Sequence, residues 1–142
     1  MDTEEYKRIF SDVNLAADSK SAGKWQTAKG GEYFAAGVGG AIAGRGADVL
    51  IIDDPHSEQD AMSMNLLDSC YEWYTSGPRQ RLQPGGAIVI VMTRWSTMDL
   101  TGRLLNRQTE TNADQWEVIE LPAIFEDTDE VLWPEFWKKE EL

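Results

Sequence analysis

Two adjacent aspartates are the residues of this sequence that are best suited to chemistry. Asp53 and Asp54 directly follow the apolar run Val49–Ile52, and Pro55 comes after them. Two carboxylates at the end of a buried strand repel each other and are partly desolvated, and a divalent cation such as Mg²⁺ relieves both costs. One aspartate can hold the metal through a water while the other orients or deprotonates an attacking water. The alternative is that an aspartate caps the loop before the proline.

Two further polar side chains follow the second apolar run. Thr93 and Arg94 come directly after Ala87–Met92. The Thr93 hydroxyl can contact a γ-phosphate or the water that attacks it, although a threonine at a strand end is also an ordinary turn residue. The Arg94 guanidinium can bind a phosphate, or it can pair with Asp53 or Asp54.

A second arginine, Arg45, lies in a glycine-rich segment, because residues 37–46 hold five glycines. Gly39 and Gly44 have the spacing of a phosphate-binding loop, but Arg45 follows them instead of lysine and a hydroxyl residue. The segment can be a flexible loop that presents Arg45 to a phosphate, or a glycine-rich turn with a solvated arginine.

The elements that must position these side chains follow from hydrophobic patterning. Branched apolar runs over 48–52 and 87–92 predict strands buried on both faces, as in a parallel sheet. Helical spacing predicts a helix over 57–76, capped by Ser57 with Asp60 and stopped by Gly77 and Pro78. The other predicted elements are a helix over 3–10, a strand within 32–40 that dissolves into glycine, a helix that begins at Ser96 and Asp99, a strand over 116–121, and a short helix that carries Trp133 and Trp137.

This order of elements predicts an α/β fold with a parallel sheet. The unit 48–92 is one strand–helix–strand crossover, which we expect to be right-handed. Ligands bind at the carboxyl ends of the strands in such sheets, so Asp53 and Asp54 should lie within several ångströms of Thr93 and Arg94.

Composition and charge narrow the class of protein. The chain of 142 residues carries 25 acids and 13 bases, a net charge of −12 that would repel nucleic acid if it were uniform. Five of the seven arginines lie between Arg79 and Arg107, whereas residues 126–142 hold seven acids and two lysines. A single cysteine excludes an internal disulfide and a multi-cysteine zinc site, and no apolar run is long enough to span a membrane. A reducing cytoplasm fits these features best.

Several stretches of the sequence, taken in order, resemble the large terminase subunit of tailed bacteriophages. Residues 44–56 resemble its Walker B region, and residues 88–95 resemble its coupling-motif strand. Trp25–Thr27, with the glycines that follow up to Gly40, resembles the segment before Walker B. Leu132–Pro134 resembles the passage from the ATPase domain towards the nuclease domain. The likeness covers roughly residues 20–137.

The resemblance implies a partial P-loop NTPase-like core of the RecA-like type, in which Mg²⁺-dependent ATP hydrolysis drives DNA into a procapsid. On this pattern Asp53 binds Mg²⁺, and Asp54 stands where the family usually has the catalytic glutamate. Thr93 and Arg94 belong to the coupling motif at the nucleotide. Arg45 lies near the arginine finger of the family, which acts on the neighbouring subunit.

The same resemblance divides the chain into a polar segment over 1–30, a partial ATPase core over 31–125 and an acidic linker over 126–142. It implies ATP and Mg²⁺ as cofactors, and double-stranded DNA, the procapsid portal and the small terminase subunit as partners. It also implies a homo-oligomeric ring in the full-length protein, no membrane, and the cytoplasm of the infected bacterial host.

One motif of the family does not occur in these residues, namely the Walker A loop Gly-x-x-x-x-Gly-Lys-Ser/Thr that holds the phosphates. We expect the Walker A strand, loop and helix to lie upstream. Because the phosphate-binding amides and lysine are then missing, we expect the isolated chain to be inactive as an ATPase.

Two other functions remain open from the residues alone. The first is a metal-dependent phosphoesterase or nuclease that uses Asp53, Asp54 and His56, the only histidine of the sequence. The second is a non-enzymatic acidic interaction module that binds a partner protein through Trp133 and Trp137.

Overall fold

The computed structural model describes residues 3–40, 42 and 44–142, and the chain divides into two compact units, Met1–Arg103 and Leu104–Leu142. It is a mixed α/β protein with a small parallel sheet. No helix among the described residues is long and apolar enough to cross a membrane. The elements are α1 (Glu4–Ile9), β1 (Leu15–Ser21), β2 (Lys24–Thr27), β3 (Glu32–Phe34), β4 (Ala47–Asp53), α2 (Met64–Ser76), β5 (Leu82–Val91) and α3 (Leu100–Asn106), with single 3₁₀ turns at Asp60–Met62, Pro78–Arg81 and Lys139–Glu141.

Strands β4 and β5 form the parallel pair that the sequence predicts. Leu50 pairs with Ile88, and Asp53 pairs with Val91, so both strands reach the carboxyl edge of the sheet together. Helix α2 lies between them in the chain, as a crossover helix should. The α/β prediction is therefore confirmed at the level of a parallel strand–helix–strand unit.

The helix predicted over 57–76 divides into two parts. Ser57 and Asp60 exchange the predicted hydrogen bonds, from the Asp60 N–H to Ser57 Oγ (3.2 Å) and from the Ser57 N–H to Asp60 Oδ2 (2.8 Å). These bonds precede a 3₁₀ turn instead of the helix, and α2 itself begins only at Met64. The helix ends before Gly77, as predicted.

The core lies on one side of the parallel pair. Its apolar members are each at most 5% exposed: Ile52 of β4, Leu67, Cys70 and Tyr74 of α2, and Leu100 of α3. The Cys70 thiol lies 3.9 Å from the Pro55 carbonyl oxygen. Burial raises the pKa of the Cys70 thiol to about 11, so the thiol stays protonated and packs as a small apolar group.

The other face of the parallel pair is bare, and the prediction that both faces are buried is wrong. Val49 and Ile51 of β4 are 57% and 64% exposed, and Val89 and Val91 of β5 are 45% and 56% exposed. Successive side chains of a strand point to opposite faces, so only alternate residues such as Ile52 reach the core. Among the described residues of the first unit, which are 3–40, 42 and 44–103, no element covers the opposite face. We call Val49, Ile51, Val89 and Val91 the bare face.

An antiparallel sheet, β1–β2–β3, occupies much of the segment for which the sequence predicts only polar chain. The helix predicted over 3–10 is present as α1. Trp25 of β2 stacks on Tyr33 of β3, with ring centroids 4.7 Å apart. The strand predicted within 32–40 is limited to β3, because the backbone turns at the glycines that follow, where Gly39 has a φ of 78°.

Residues 116–121, all of which the structure describes, form no strand, so that prediction is wrong. Val118 and Ile119 are both exposed, at 52% and 78%, and the alternating pattern therefore buries neither face. A strand needs a hydrogen-bonded neighbour. In this unit the bridge that forms joins Ile124 to Val131 instead.

Trp133 and Trp137 lie on a turn, and the short helix predicted for them is absent from this described segment. The Trp137 N–H donates to the Trp133 carbonyl oxygen at 3.0 Å. The ring of Phe136 packs against both indoles, with centroid distances of 4.8 Å to Trp133 and 5.1 Å to Trp137.

Candidate functional site at the carboxyl edge of the parallel strands

Asp54 and Thr93 meet at the carboxyl edge of the parallel pair. The Asp54 N–H donates to the Val91 carbonyl oxygen (2.9 Å), which extends the ladder by one residue beyond β4. The Thr93 N–H in turn lies 3.4 Å from Asp54 Oδ1 and donates to it. The turns that follow the two strands therefore lie side by side, and both residues are exposed.

The backbone at Asp54 adopts an uncommon conformation. Its φ is 41°, in the left-handed region where residues other than glycine are rare and where aspartate and asparagine are several-fold enriched. Such a conformation costs about 1 kcal/mol or more, and strained residues of this kind cluster at functional sites. An aspartate tolerates this position better than a glutamate, which gives a physical reason for the short side chain here.

Asp53 lies on the opposite face of the strand from the core. It is the last residue of β4 and is exposed. Because side chains alternate along a strand, Asp53 shares its side of the sheet with Val49 and Ile51. The two carboxylates therefore have different surroundings: Asp53 borders the bare face, and Asp54 contacts the turn that follows β5.

Arg94 pairs with Asp99, and neither Asp53 nor Asp54 is its partner. The Arg94 Nε lies 2.9 Å from Asp99 Oδ2 and 3.1 Å from Oδ1, while Nη2 donates to the Ser96 carbonyl oxygen at 3.3 Å. The Arg94 side chain is 47% exposed, whereas the Asp99 side chain is wholly buried. The guanidinium thus stays accessible at the edge while its acid is inside the protein.

Asp99 also belongs to this edge, although the sequence predicts only that a helix begins there. Besides Arg94, its carboxylate accepts hydrogen bonds from three backbone N–H groups and one hydroxyl, those of Trp95 (3.3 Å), Ser96 (3.3 Å), Gly102 (2.8 Å) and Thr101 (3.1 Å). Burial would raise the pKa of Asp99, but these hydrogen bonds and the Arg94 charge outweigh it, so the pKa lies below its usual value. An acid at a helix start, five residues after a strand-end arginine, is the sequence signal for such a pair.

The imidazole of His56 accepts a backbone hydrogen bond at this edge. It is 5% exposed, and its Nε2 accepts a hydrogen bond from the Leu100 N–H at 3.1 Å. Burial lowers the pKa of His56 below its usual value, although the charges of Asp99 and Asp60 oppose this shift. The neutral imidazole ties the loop after β4 to the start of α3. Nε2 is therefore engaged by the Leu100 amide and is not available as a metal ligand.

The structure does not bring Arg45 to this edge. Arg45 precedes β4, a seven-residue strand, and a strand of that length spans about 20 Å between Arg45 and the aspartate pair. Its Nη1 lies 2.6 Å from Glu32 Oε1, and its guanidinium lies 4.0 Å from the ring centroid of Phe34. Within one chain, Arg45 and Asp54 therefore belong to different sites.

The donor set at the edge fits one kind of metal site. Among the described residues, no group of three or more His, Cys, Asp or Glu side chains is arranged to hold a metal ion. Mg²⁺ takes one or two carboxylates and completes its shell with water and phosphate oxygens, which Asp53 and Asp54 can satisfy. A metallohydrolase needs more protein ligands than this edge supplies.

The edge therefore carries four exposed polar residues, Asp53 and Asp54 at the end of β4 and Thr93 and Arg94 after β5. Comparison of the chain with protein families, with curated proteins and with solved structures finds no match.

Proposed function

We propose that this chain is the Walker B and coupling-motif portion of the ATPase of a DNA-packaging terminase large subunit from a tailed bacteriophage. In that role, Mg²⁺-dependent ATP hydrolysis drives double-stranded DNA into a procapsid. The observation that carries the proposal is the contact between Asp54 and Thr93 at the carboxyl edge of two parallel strands. Ligands bind at this edge in open α/β sheets, and the charges there suit a Mg²⁺-bound triphosphate.

The proposed roles follow from the position and charge of each side chain. Asp53 would hold Mg²⁺, and Asp54 would orient the water that attacks the phosphate. Thr93 contacts the terminal phosphate beside Asp54, and Arg94 binds a phosphate oxygen. When bound, Mg²⁺ neutralises part of the charge of the triphosphate.

The bare face supports a second part of the proposal, namely that another segment completes the ATPase. Strands of parallel sheets are covered on both faces almost without exception. Asp53 borders the bare face, so a segment that packs there with a Walker A loop would bring the phosphates next to Asp53. We place that segment elsewhere in the same protein or in a partner chain.

The remaining proposals come from the resemblance. The full-length protein forms a homo-oligomeric ring with the procapsid portal and the small terminase subunit in the cytoplasm of the infected host. Arg45 then acts on the nucleotide of a neighbouring copy, which agrees with its distance from Asp54 in its own chain.

Paramagnetic Mn²⁺ tests the metal site in the chain as it exists. We expect Mn²⁺ to broaden the NMR amide signals of Asp53, Asp54 and Thr93 most strongly, because the broadening falls steeply with distance from the ion. Asp53→Asn and Asp54→Asn should each reduce this broadening, since asparagine keeps the shape and removes the charge. Asp48→Asn is the matched control, because Asp48 is an exposed aspartate near the other end of β4. Broadening that survives both edge variants would contradict the site.

ATPase complementation tests the proposed reaction. The chain alone should show no measurable ATP turnover, because it lacks the amides and lysine that grip the phosphates. Addition of a Walker A segment encoded in the same genome should produce Mg²⁺-dependent turnover that Asp53→Ala abolishes and Asp48→Ala preserves. ATP turnover by the chain alone, or complemented ATP turnover that persists in Asp53→Ala, would contradict the proposal.

A further inference from the structure

We propose that Asp99 and Gly102 are positioning residues that hold Arg94 as a phosphate-binding group at the carboxyl edge of β4 and β5. This inference rests on the proposed function and deepens it, because it names the residues that aim the cation. The ligand class is a phosphate oxyanion of a Mg²⁺-bound polyphosphate.

Asp99 fixes one side of the Arg94 guanidinium. Its two oxygens lie 2.9 and 3.1 Å from Nε, and Nη2 is occupied by the Ser96 carbonyl oxygen. The carboxylate cannot rotate freely, because three N–H groups and a hydroxyl also hold it. Arg94 Nη1 makes no hydrogen bond with the residues that the structure describes, so the outer side of the planar guanidinium is open to a second anion.

Gly102 makes room for this arrangement. A Cβ at Gly102 would lie 2.9 Å from Arg94 Nη2 and would overlap the Thr97 carbonyl oxygen. The Gly102 N–H also donates to Asp99 Oδ1 at 2.8 Å. Glycine weakens the interior of a helix, and its presence in α3 is explained by the Thr97 carbonyl and the Arg94 guanidinium, which leave no room for a Cβ.

Arg103, which follows Gly102 on α3, is an arginine with a packing role and serves as a comparison for Arg94. Its side chain is 15% exposed, its Nη2 lies 2.5 Å from Asp68 Oδ1, and its guanidinium lies 5.6 Å from the ring centroid of Tyr71. In the Arg94 pair the burial is reversed, because the acid is inside and the arginine is at the surface. This arrangement keeps a fixed cation directly beside Thr93, at the edge where the phosphate is expected.

NMR titration of the full chain with Mg²⁺-tripolyphosphate tests the inference. In the parent, we expect millimolar ligand to shift the signals of Thr93 and of the Arg94 Nε–H. Arg94→Gln should weaken binding about tenfold through the loss of a charged hydrogen bond. Arg94→Lys should not restore it, because an ammonium cannot bond Asp99 and a phosphate in the fixed fork of a guanidinium. Arg103→Gln is the matched control and should leave the dissociation constant unchanged.

Asp99→Asn separates positioning from simple charge. If Asp99 acted only as a negative charge, its neutralisation would strengthen anion binding. We expect the opposite in the parent, a severalfold weakening, and a strengthening only in the Arg94→Gln background. Gly102→Ala changes no charge, and it should weaken binding in the parent and have no further effect after Arg94→Gln. A dispersed spectrum confirms that each variant is folded, and stronger binding by folded Asp99→Asn would overturn the inference. Where the buried variants do not fold, Arg94→Lys tests the fixed fork, and full binding by Arg94→Lys would also overturn the inference.

The outcomes are distinguishable. A parent that titrates at the edge while Arg94→Gln binds equally well overturns the inference and leaves the proposed function standing. A parent whose edge signals respond to neither Mn²⁺ nor Mg²⁺-tripolyphosphate overturns both. A parallel titration with a DNA duplex identifies the other source of phosphate, and an Arg94 shift caused by the duplex but not by tripolyphosphate also overturns the inference.

Discussion

Each end of the β4–β5 pair carries an arginine ion pair, and the two pairs differ in burial. At the carboxyl end, Arg94 is held by Asp99, whose side chain is wholly buried. At the amino end, Arg45 pairs with Glu32, whose side chain is 36% exposed. A buried carboxylate that loses its partner leaves an uncompensated charge, whereas water can solvate an exposed one. The carboxyl end is thus built to keep one geometry, and the amino end can exchange partners at little cost.

This difference matches the roles proposed for the two arginines. A cation that binds phosphate at its own edge benefits from a fixed orientation, while one that reaches a neighbouring copy must be able to leave its resting partner. The hydrogen bond from Gln26, with the charges of Lys24 and Arg45, keeps the pKa of Glu32 below its usual value. Glu32 therefore stays ionised at neutral pH, as its ion pair with Arg45 requires.

Replacement of Asp99 and of Glu32 by alanine should destabilise the protein by very different amounts. Asp99→Ala should lower the free energy of unfolding by about 3 kcal/mol, because it leaves Arg94 unpaired and deprives buried N–H groups of their acceptor. Glu32→Ala should cause no measurable loss, because water replaces its exposed partners. Urea unfolding followed by tryptophan fluorescence measures both changes. Equal losses in the two variants would show that burial does not distinguish the pairs.

His56 extends the comparison to pH, since its neutral form links the two loops of the carboxyl edge. Burial places its folded pKa below the usual 6.5, so the unfolded chain binds more protons than the folded chain as the pH falls below that value. The stabilisation is therefore complete above pH 6.5 and is lost as the pH falls towards the folded pKa. Urea unfolding over a pH series should show a decline of at most about 1.4 kcal/mol per pH unit.

His56→Gln is the control for this decline. The glutamine oxygen can accept the Leu100 N–H much as Nε2 does, but it does not titrate. The pKa values of Asp60 and Asp99 are lowered, so these acids stay ionised in the same pH range and their own losses come at lower pH. We expect a flatter profile for the variant between about pH 5 and 7. An unchanged slope would assign the pH dependence to other groups.

The parallel pair could be predicted because its signals are local and strong. Two branched apolar runs, separated by a helical pattern, indicate a crossover unit, and its topology implied that Asp54 and Thr93 would meet. The sheet β1–β2–β3 could not be predicted in the same way, because its strands are short and polar. Its pairing depends on a tight turn at Gly30, where φ is 89°, and on the stacking of Trp25 against Tyr33.

The errors concern partners that are distant in the sequence. The alternation over 116–121 is typical of a strand, but no pattern within it reveals whether a second strand lies beside it. The apolar side chains of the bare face indicate burial, but not which element provides it. Arg94 is a different case, because the sequence offers Asp53 and Asp54 as its acidic partners and the structure pairs it with Asp99, only five residues further along the chain.

The smallest expected change in the free energy of unfolding comes from the backbone conformation of Asp54. It tests whether the carboxyl end of the parallel pair is fixed at the backbone as well as at Arg94. Asp54→Glu, which introduces the residue usual in the terminase family, should lower the free energy of unfolding by about 1 kcal/mol, because a longer side chain tolerates a φ of 41° less well. Asp54→Asn should stay within about 0.5 kcal/mol of the parent, because asparagine also tolerates this region. Asp54→Gly should be at least as stable as Asp54→Glu, since glycine has no Cβ to strain.

Metal binding by the same variants should follow a different order from stability. Glutamate keeps the carboxylate, so Asp54→Glu should retain Mn²⁺ broadening at Thr93, while Asp54→Asn and Asp54→Gly should reduce it. Comparison of stability with Mn²⁺ broadening therefore distinguishes the effect of the backbone from that of the carboxylate. Asp54→Glu keeps the carboxylate but strains the turn, so it should bind the metal and lose stability. If Asp54→Glu proved as stable as the parent, backbone strain would not explain the aspartate at this position, and its shorter reach towards the Thr93 amide would be the remaining reason.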